Sequence, residues 1–188
     1  MIKNSRLRSI ILVALFAALT VIGTNIRIPM PTGAFVHLGN AVLLLAVLLI
    51  GYKRGALAGG LGFFIFDILS GYATEAPYFL LESFIVGGAA ALAILFFKKN
   101  LTNVWQVMGV GVVTGIAKLI MTQLKNTVTF LIAGSSLPVA FTSAATKLPA
   151  SLINVIMTIV IVSLVYFPLK KIMGTVLGSS DRPAHDSK

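Results

Sequence analysis

Six apolar stretches follow one another along the chain, at 10–26, 38–52, 55–70, 77–97, 104–133 and 143–167, with few polar residues inside any of them. A backbone in hydrocarbon must satisfy its own N–H and C=O groups, which leaves only helices or a closed barrel. These stretches are continuous rather than alternating, and most approach the roughly 20 residues that a helix needs to cross a bilayer. The second is short, the third carries Asp67 near its end, and the fifth is long enough to tilt. Breakers separate them: Pro29, Pro31 and Gly33, then Gly51 and Gly55, Gly71 and Pro77, Asn100, and finally Gly134 and Pro138. A soluble domain has no use for 57% apolar residues with only 11% charged. The expectation is an all-α integral membrane protein of six transmembrane helices. It forms one domain over residues 1–177, with a flexible cytoplasmic tail at 178–188.

The formal net charge of +10 is spread thinly between the apolar stretches, which argues for orientation in a membrane rather than for nucleic acid. Six crossings put both termini on one side. With the N-terminus in the cytoplasm, that side holds Lys3, Arg6 and Arg8, then Lys53 and Arg54, Lys98 and Lys99, and Lys170 and Lys171. The outer loops hold Arg27 and His37, then Glu75, then no charge between Ala133 and Thr142. Every loop obeys the positive-inside rule, which places both termini in the cytoplasm. A basic start before an apolar run also fits a cleaved signal peptide, but the run is long for one and no A-x-A-type site follows it.

Charge inside the spans carries the functional content. An ionisable group in hydrocarbon costs at least about 2.5–3.5 kcal/mol, so it is kept for a partner, a ligand or a wet cavity. Under this topology Asp67, Glu82, Lys125, Asn126, Lys147 and Asn154 fall in the outer half of the bilayer, with Lys118 nearer the middle. Lys118, Thr122, Lys125 and Thr129 share one helical face, and Lys147, Ser151 and Asn154 share another. Two polar stripes facing the acids would line a cavity. Phe63, Phe66, Tyr72, Tyr78, Phe79 and Phe130 lie at the same depth and suit stacking on a flat ring. Plainer readings stand beside this one. Lys118 or Lys125 pairs with Glu82 or Asp67 for structure alone; Lys147 snorkels to headgroups; Asn154 glues helices. His37 is then a surface histidine and the aromatics an interfacial belt. The number of groups and their shared depth favour a site.

There is no cysteine, so disulfides, thiolate metal sites and cysteine nucleophiles are excluded. Only two histidines are present, with no H-E-x-x-H and no G-x-S-x-G, so an enzyme is not expected. No G-x-x-x-x-G-K-[ST] occurs, so the chain has no P-loop for ATP, and no cofactor is expected in it. Ala14 and Ala18 form a small-x-x-x-small face on the first span; Gly55 with Gly59, and Gly111 with Gly115, repeat the pattern and suit close packing.

Together these residues resemble the substrate-binding S component of an energy-coupling factor (ECF) vitamin transporter, over residues 5–173. The resemblance lies in six spans within a short chain, a basic start leading into Ala14-x-x-x-Ala18, an outer loop with Pro29 and Pro31, and polar groups in the outer halves of the last three spans. The stretch from His37-Leu38-Gly39-Asn40 through Gly51-Tyr52-Lys53-Arg54-Gly55 to Asp67-Ile68-Leu69-Ser70-Gly71 is similar to the riboflavin, hydroxymethylpyrimidine and pyridoxine branch. The resemblance implies a multi-pass subunit in a prokaryotic cell membrane that binds a vitamin from outside. It implies docking through Ala14 and Ala18 on a membrane T component driven by two cytoplasmic ATPases, then toppling to release the vitamin inside. It implies that ATP is used by those partner subunits. The implied pocket has Lys118, Lys125 and Lys147 as donors, Glu82 and Asp67 as acceptors, and Asn40, Asn126 and Asn154 as either. So many charged groups suit hydroxymethylpyrimidine or pyridoxine (vitamin B6) more than riboflavin or another vitamin. The competing reading is a proton-coupled small-solute carrier in which Glu82 and the lysines relay protons; the lack of an evident inverted repeat argues against it.

Overall fold

The computed structural model describes residues 2–98 and 100–179. Lys99 and the tail residues 180–188 lie outside the described residues, as does the side chain of Lys3. Helix α1 (Ile2–Asn25) leads into a hairpin of β1 (Arg27–Pro29) and β2 (Phe35–His37). Then come α2 (Gly39–Ile50), α3 (Tyr52–Leu69), α4 (Ala76–Phe96), α5 (Val104–Ile132), α6 (Leu137–Ala145) and α7 (Leu148–Ser179). The strands are antiparallel, pairing Arg27 with His37, Ile28 with Val36 and Pro29 with Phe35.

Helix α2 is the axis of the bundle and packs against α1, α3, α4 and α7. Its residues Leu43, Leu44, Leu45, Ala46 and Val47 are all buried, more than a full turn, so it has no outward face. A helix that is apolar all round belongs in an interior. Around it, α1, α4, α5 and α7 each contain an apolar segment long enough to cross a bilayer: Arg6–Asn25, Ala76–Phe96, Val104–Ile132 and Leu148–Thr175. Their outward surfaces are apolar and exposed, as with Ile10, Ile11, Leu15 and Ile22 on α1 and Leu92 and Phe96 on α4. That is the surface a lipid environment requires. Helix α2 has only 12 residues, and α3 has 18 with Lys53, Arg54 and Asp67 among them.

Among the described residues, seven helices stand where six spans are expected. The stretch at 143–167 is divided: Ser143 to Ala145 close α6, the chain turns at Thr146 and Lys147, and α7 starts afresh at Leu148. The reason is proline. Pro138 opens α6 and Pro149 is the second residue of α7, positions where the missing N–H costs nothing and the fixed φ favours a new start. Helix α7 then continues past Phe167 to Ser179. The outer loop with Pro29 and Pro31 is an ordered hairpin, closed at its tip by Met30 N–H to Ala34 O (2.8 Å) and by Gly33 at φ +73°. A capping box of Asn103 and Gln106 starts α5.

The glycine pairs read as packing faces are contact points. A Cβ on Gly55 would collide with the backbone of Val47 on α2, and one on Gly111 would meet Ile159 Cγ1 at 2.9 Å. Gly109, by contrast, leaves ordinary room, with Phe97 3.4 Å away. Gly55→Ala should therefore push α3 off α2 and cost about 1–3 kcal/mol, while Gly109→Ala stays near neutral. Melting temperatures of the two variants in one detergent check the order.

Candidate functional site

A cavity of about 210 Å³ opens at one end of the bundle. Asn40 in the first turn of α2 is at its floor. The end of α1 supplies Thr24, the last turns of α3 supply Phe63, Phe66 and Asp67, and the first turns of α4 supply Tyr78, Phe79 and Glu82. Helix α5 contributes Lys118, Thr122, Lys125 and Asn126, spaced i, i+4, i+7 and i+8 on one face. Lys147 lies in the α6–α7 turn, with Ser151 and Asn154 below it on α7. The hairpin contributes Arg27, Gly33, Phe35 and His37 to the lining, and the α3–α4 loop adds Tyr72 and Glu75. All eight residues expected to bind substrate (Asn40, Asp67, Glu82, Lys118, Lys125, Asn126, Lys147 and Asn154) line this one cavity. Thr129 is exposed and, like Phe130, is not part of the lining.

The charged groups are largely engaged with one another. Lys118 Nζ lies 2.5 Å from Glu82 Oε2, and Glu82 is 3% exposed. Glu82 Oε1 is 3.2 Å from the Tyr78 hydroxyl, which is also 2.9 Å from Met121 O and so divides one proton between two acceptors. Lys125 pairs with Glu75. Both ammoniums also sit over the Phe79 ring, at 5.2 and 5.0 Å from its centre. An ion pair taken out of water needs further partners to hold, and the Tyr78 hydroxyl on Glu82 and the Phe79 ring under both ammoniums supply some of them. Asp67, which sequence reasoning offered to Lys118 or Lys125, has a salt bridge to neither. The acid that takes Lys125 comes from a loop.

The hairpin is fastened from α7. Asn154 donates from Nδ2 to Phe35 O and accepts the His37 N–H on Oδ1, both at 2.8 Å, so one side chain extends the ladder of β2. Lys147 Nζ donates to Thr32 O at the hairpin tip. Arg27 lies among three rings, with its guanidinium 4.7 Å from Phe35, 5.0 Å from Phe66 and 5.9 Å from Tyr72. Phe35 and Tyr72 are themselves 5.9 Å apart, which joins the hairpin to the α3–α4 loop. His37 Nδ1 accepts the Gly39 N–H at 3.2 Å, which leaves the ring proton on Nε2. Burial, then the charges of Lys118 and Arg27, lower the His37 pKa to about 3. The imidazole is therefore neutral at physiological pH.

Three buried polar atoms of the lining have no partner: Arg27 Nη1, Asn40 Nδ2 and Asp67 Oδ2. A buried group left unmatched costs about 1–3 kcal/mol, so such atoms mark places where a ligand gains most. Arg27 and Glu75 were read from the sequence as loop charges, and His37 as a surface residue. A signal for them was present: with His37, they are the only Lys, Arg, His, Asp or Glu residues of the outer loops. Among the described residues no group of three or more His, Asp or Glu side chains is placed to hold a metal.

A polar cavity inside an apolar helix bundle, lined in part by a hairpin, marks a membrane-embedded class of protein. The chain matches the family described as ECF-type riboflavin transporter, S component, over residues 4–171, and it belongs to that family. That description is of a transporter's S component. It is also 29% identical over 99 residues to an uncharacterised protein in a gap 3′ region of Pyrococcus woesei. That alignment covers 52% of this chain and 63% of the relative, less than two thirds of the latter's length.

Two outcomes follow from the lid. Asn154→Ala leaves two hydrogen bonds of β2 unmade, so amide exchange of His37 should quicken by tenfold or more while the α2 amides stay protected; hydrogen exchange read by mass spectrometry checks it. His37 binds a proton more readily unfolded (6.5) than folded (about 3). The unfolded state therefore gains protons first as pH falls, and stability is lost from about pH 6.5 downwards, by at most about 2 kcal/mol at pH 5. His37→Gln should flatten that part of a melting-temperature profile between pH 7 and 5.

Proposed function

We propose that this subunit captures a small polar heteroaromatic vitamin, hydroxymethylpyrimidine or pyridoxine, from outside the cell. The observation that carries the reading is the size and chemistry of the cavity. At about 210 Å³ it is smaller than the roughly 300–1,000 Å³ typical of sites for drug-sized ligands. It combines stacking rings, Phe63, Phe66, Tyr72 and Phe79, with polar groups on every wall. A single aromatic ring with hydroxymethyl and amino or phenol substituents matches that mixture. Riboflavin is the second reading, favoured by the description of the family.

In this reading six crossings, with α2 and α3 completing the set, place both termini in the cytoplasm of a prokaryotic cell and the hairpin outside. Partners follow from the family: a membrane T component and two ATPases that use ATP. Support for the docking face is that Ala14 and Ala18 are exposed on α1 beside Leu15, turned away from the buried Phe16 and Ala17. Release by toppling in the membrane belongs to the same proposal. A proton-coupled carrier would instead lose uptake when the proton gradient collapses and keep it without the ATPases.

The test is a thermal-shift and calorimetric screen of the purified chain against pyridoxine, pyridoxamine, hydroxymethylpyrimidine, riboflavin, thiamin and pantothenate. A tight binder raises the melting temperature, by about 2.7 kcal/mol of stabilisation at a hundredfold excess over Kd. Hydroxymethylpyrimidine or pyridoxine is the expected hit. Riboflavin as the sole binder replaces the first reading with the second.

A further inference from the structure

We infer that Arg27, Asn40 and Asp67 read the substrate's hydrogen-bond pattern, selecting an unphosphorylated heteroaromatic ring that offers acceptors to Arg27 and Asn40 and an N–H donor to Asp67. This deepens the vitamin-binding reading and rests on it. The argument starts from which groups are already committed. Lys118 is held by Glu82, Lys125 by Glu75 and Lys147 by Thr32 O. Asn154 has its donor and acceptor on the hairpin, and Asn126 donates to Thr122 O at 2.8 Å. The conspicuous lysines thus hold the cavity in shape. The lining atoms that remain buried and unpartnered are two donors, Arg27 Nη1 and Asn40 Nδ2, and one acceptor, Asp67 Oδ2. Asp67 is 5% exposed. A carboxylate oxygen accepts only, and guanidinium and amide N–H groups donate only, so the trio distinguishes a ring from one with its donors and acceptors exchanged.

Arg27 is built for this role. Three rings from β2, α3 and the α3–α4 loop hold its guanidinium flat, so little freedom is lost when it meets a ligand. Lysine in its place keeps the charge and loses the planar fork. Charge balance sets a second limit. The described lining holds the cations Arg27, Lys118, Lys125 and Lys147 against the anions Asp67, Glu75 and Glu82. One excess positive charge suits a neutral or singly anionic ring and leaves a phosphate monoester dianion uncompensated.

Calorimetry on the full chain tests this with 4-amino-5-hydroxymethyl-2-methylpyrimidine, its 4-oxo analogue, pyridoxine, pyridoxine 5′-phosphate and riboflavin as probes. For whichever probe the wild type binds, Arg27→Met should weaken affinity at least tenfold. Its ligand-free melting temperature should hold or rise, because an apolar side chain of similar length removes an unmatched buried donor. Asp67→Asn should move the amino-to-oxo preference at least tenfold towards the oxo ring, and the phosphorylated probe should bind at least tenfold more weakly than pyridoxine. A merely structural Arg27 would instead lower the melting temperature. That result, unchanged affinity in Arg27→Met, or an unchanged amino-to-oxo ratio in Asp67→Asn overturns the inference and leaves the vitamin-binding reading standing. No binding of any probe by the wild type overturns both.

Discussion

The shortness of α2 governs the molecule. Twelve residues rise about 18 Å, against about 30 Å of hydrocarbon. A central helix that stops this far short leaves a space at one end of a bundle whose outer helices continue. Its apolar circumference forces it into the middle, so the space is central too. Everything placed there follows: Asn40 in the first turn of α2, the ends of α1 and α3, the starts of α4 and α7, and the later turns of α5. At its other end Gly51, at φ +86°, turns the chain directly into α3, a backbone that other residues rarely adopt. The cavity is a consequence of one helix length and needs no irregularity in the longer helices.

Ionisable groups in such a space are stable only as a set. Lys118 at 14% side-chain exposure and Glu82 at 4% are each expensive alone, and together they neutralise and hydrogen-bond one another. Phe79 lies beneath both lysines and contributes its ring face to each. The choice between ion pair and cavity lining, framed from the sequence as alternatives, dissolves in the geometry: the paired residues line the cavity.

The spans and their faces were legible because a helix surrounded by apolar matter imposes continuous apolarity, and its period places Lys118, Thr122 and Lys125 together. That the polar groups gather around one cavity was legible for the same reason. The break at Thr146 and Lys147 was less so, since apolar residues flank it on both sides and only Pro149 marks the restart. The hairpin was hidden by Pro29 and Pro31, which read as a loop; two three-residue strands leave too little pattern to see. Glu75 as the partner of Lys125, and Arg27 among three rings, depend on contacts between elements far apart in the chain. No local periodicity encodes such contacts.

A two-stranded hairpin of this length has little stability of its own in water. This one borrows it from Asn154 and Lys147, with Leu38 N–H anchored to Gly23 O on α1 at 2.9 Å, while Arg27 stacks on Phe35 from the other side. Most of those anchors also line the cavity. A ligand that meets Arg27 therefore acts on the lid and the site at once, because the same guanidinium stacks on Phe35 of the hairpin and on Tyr72 of the neighbouring loop.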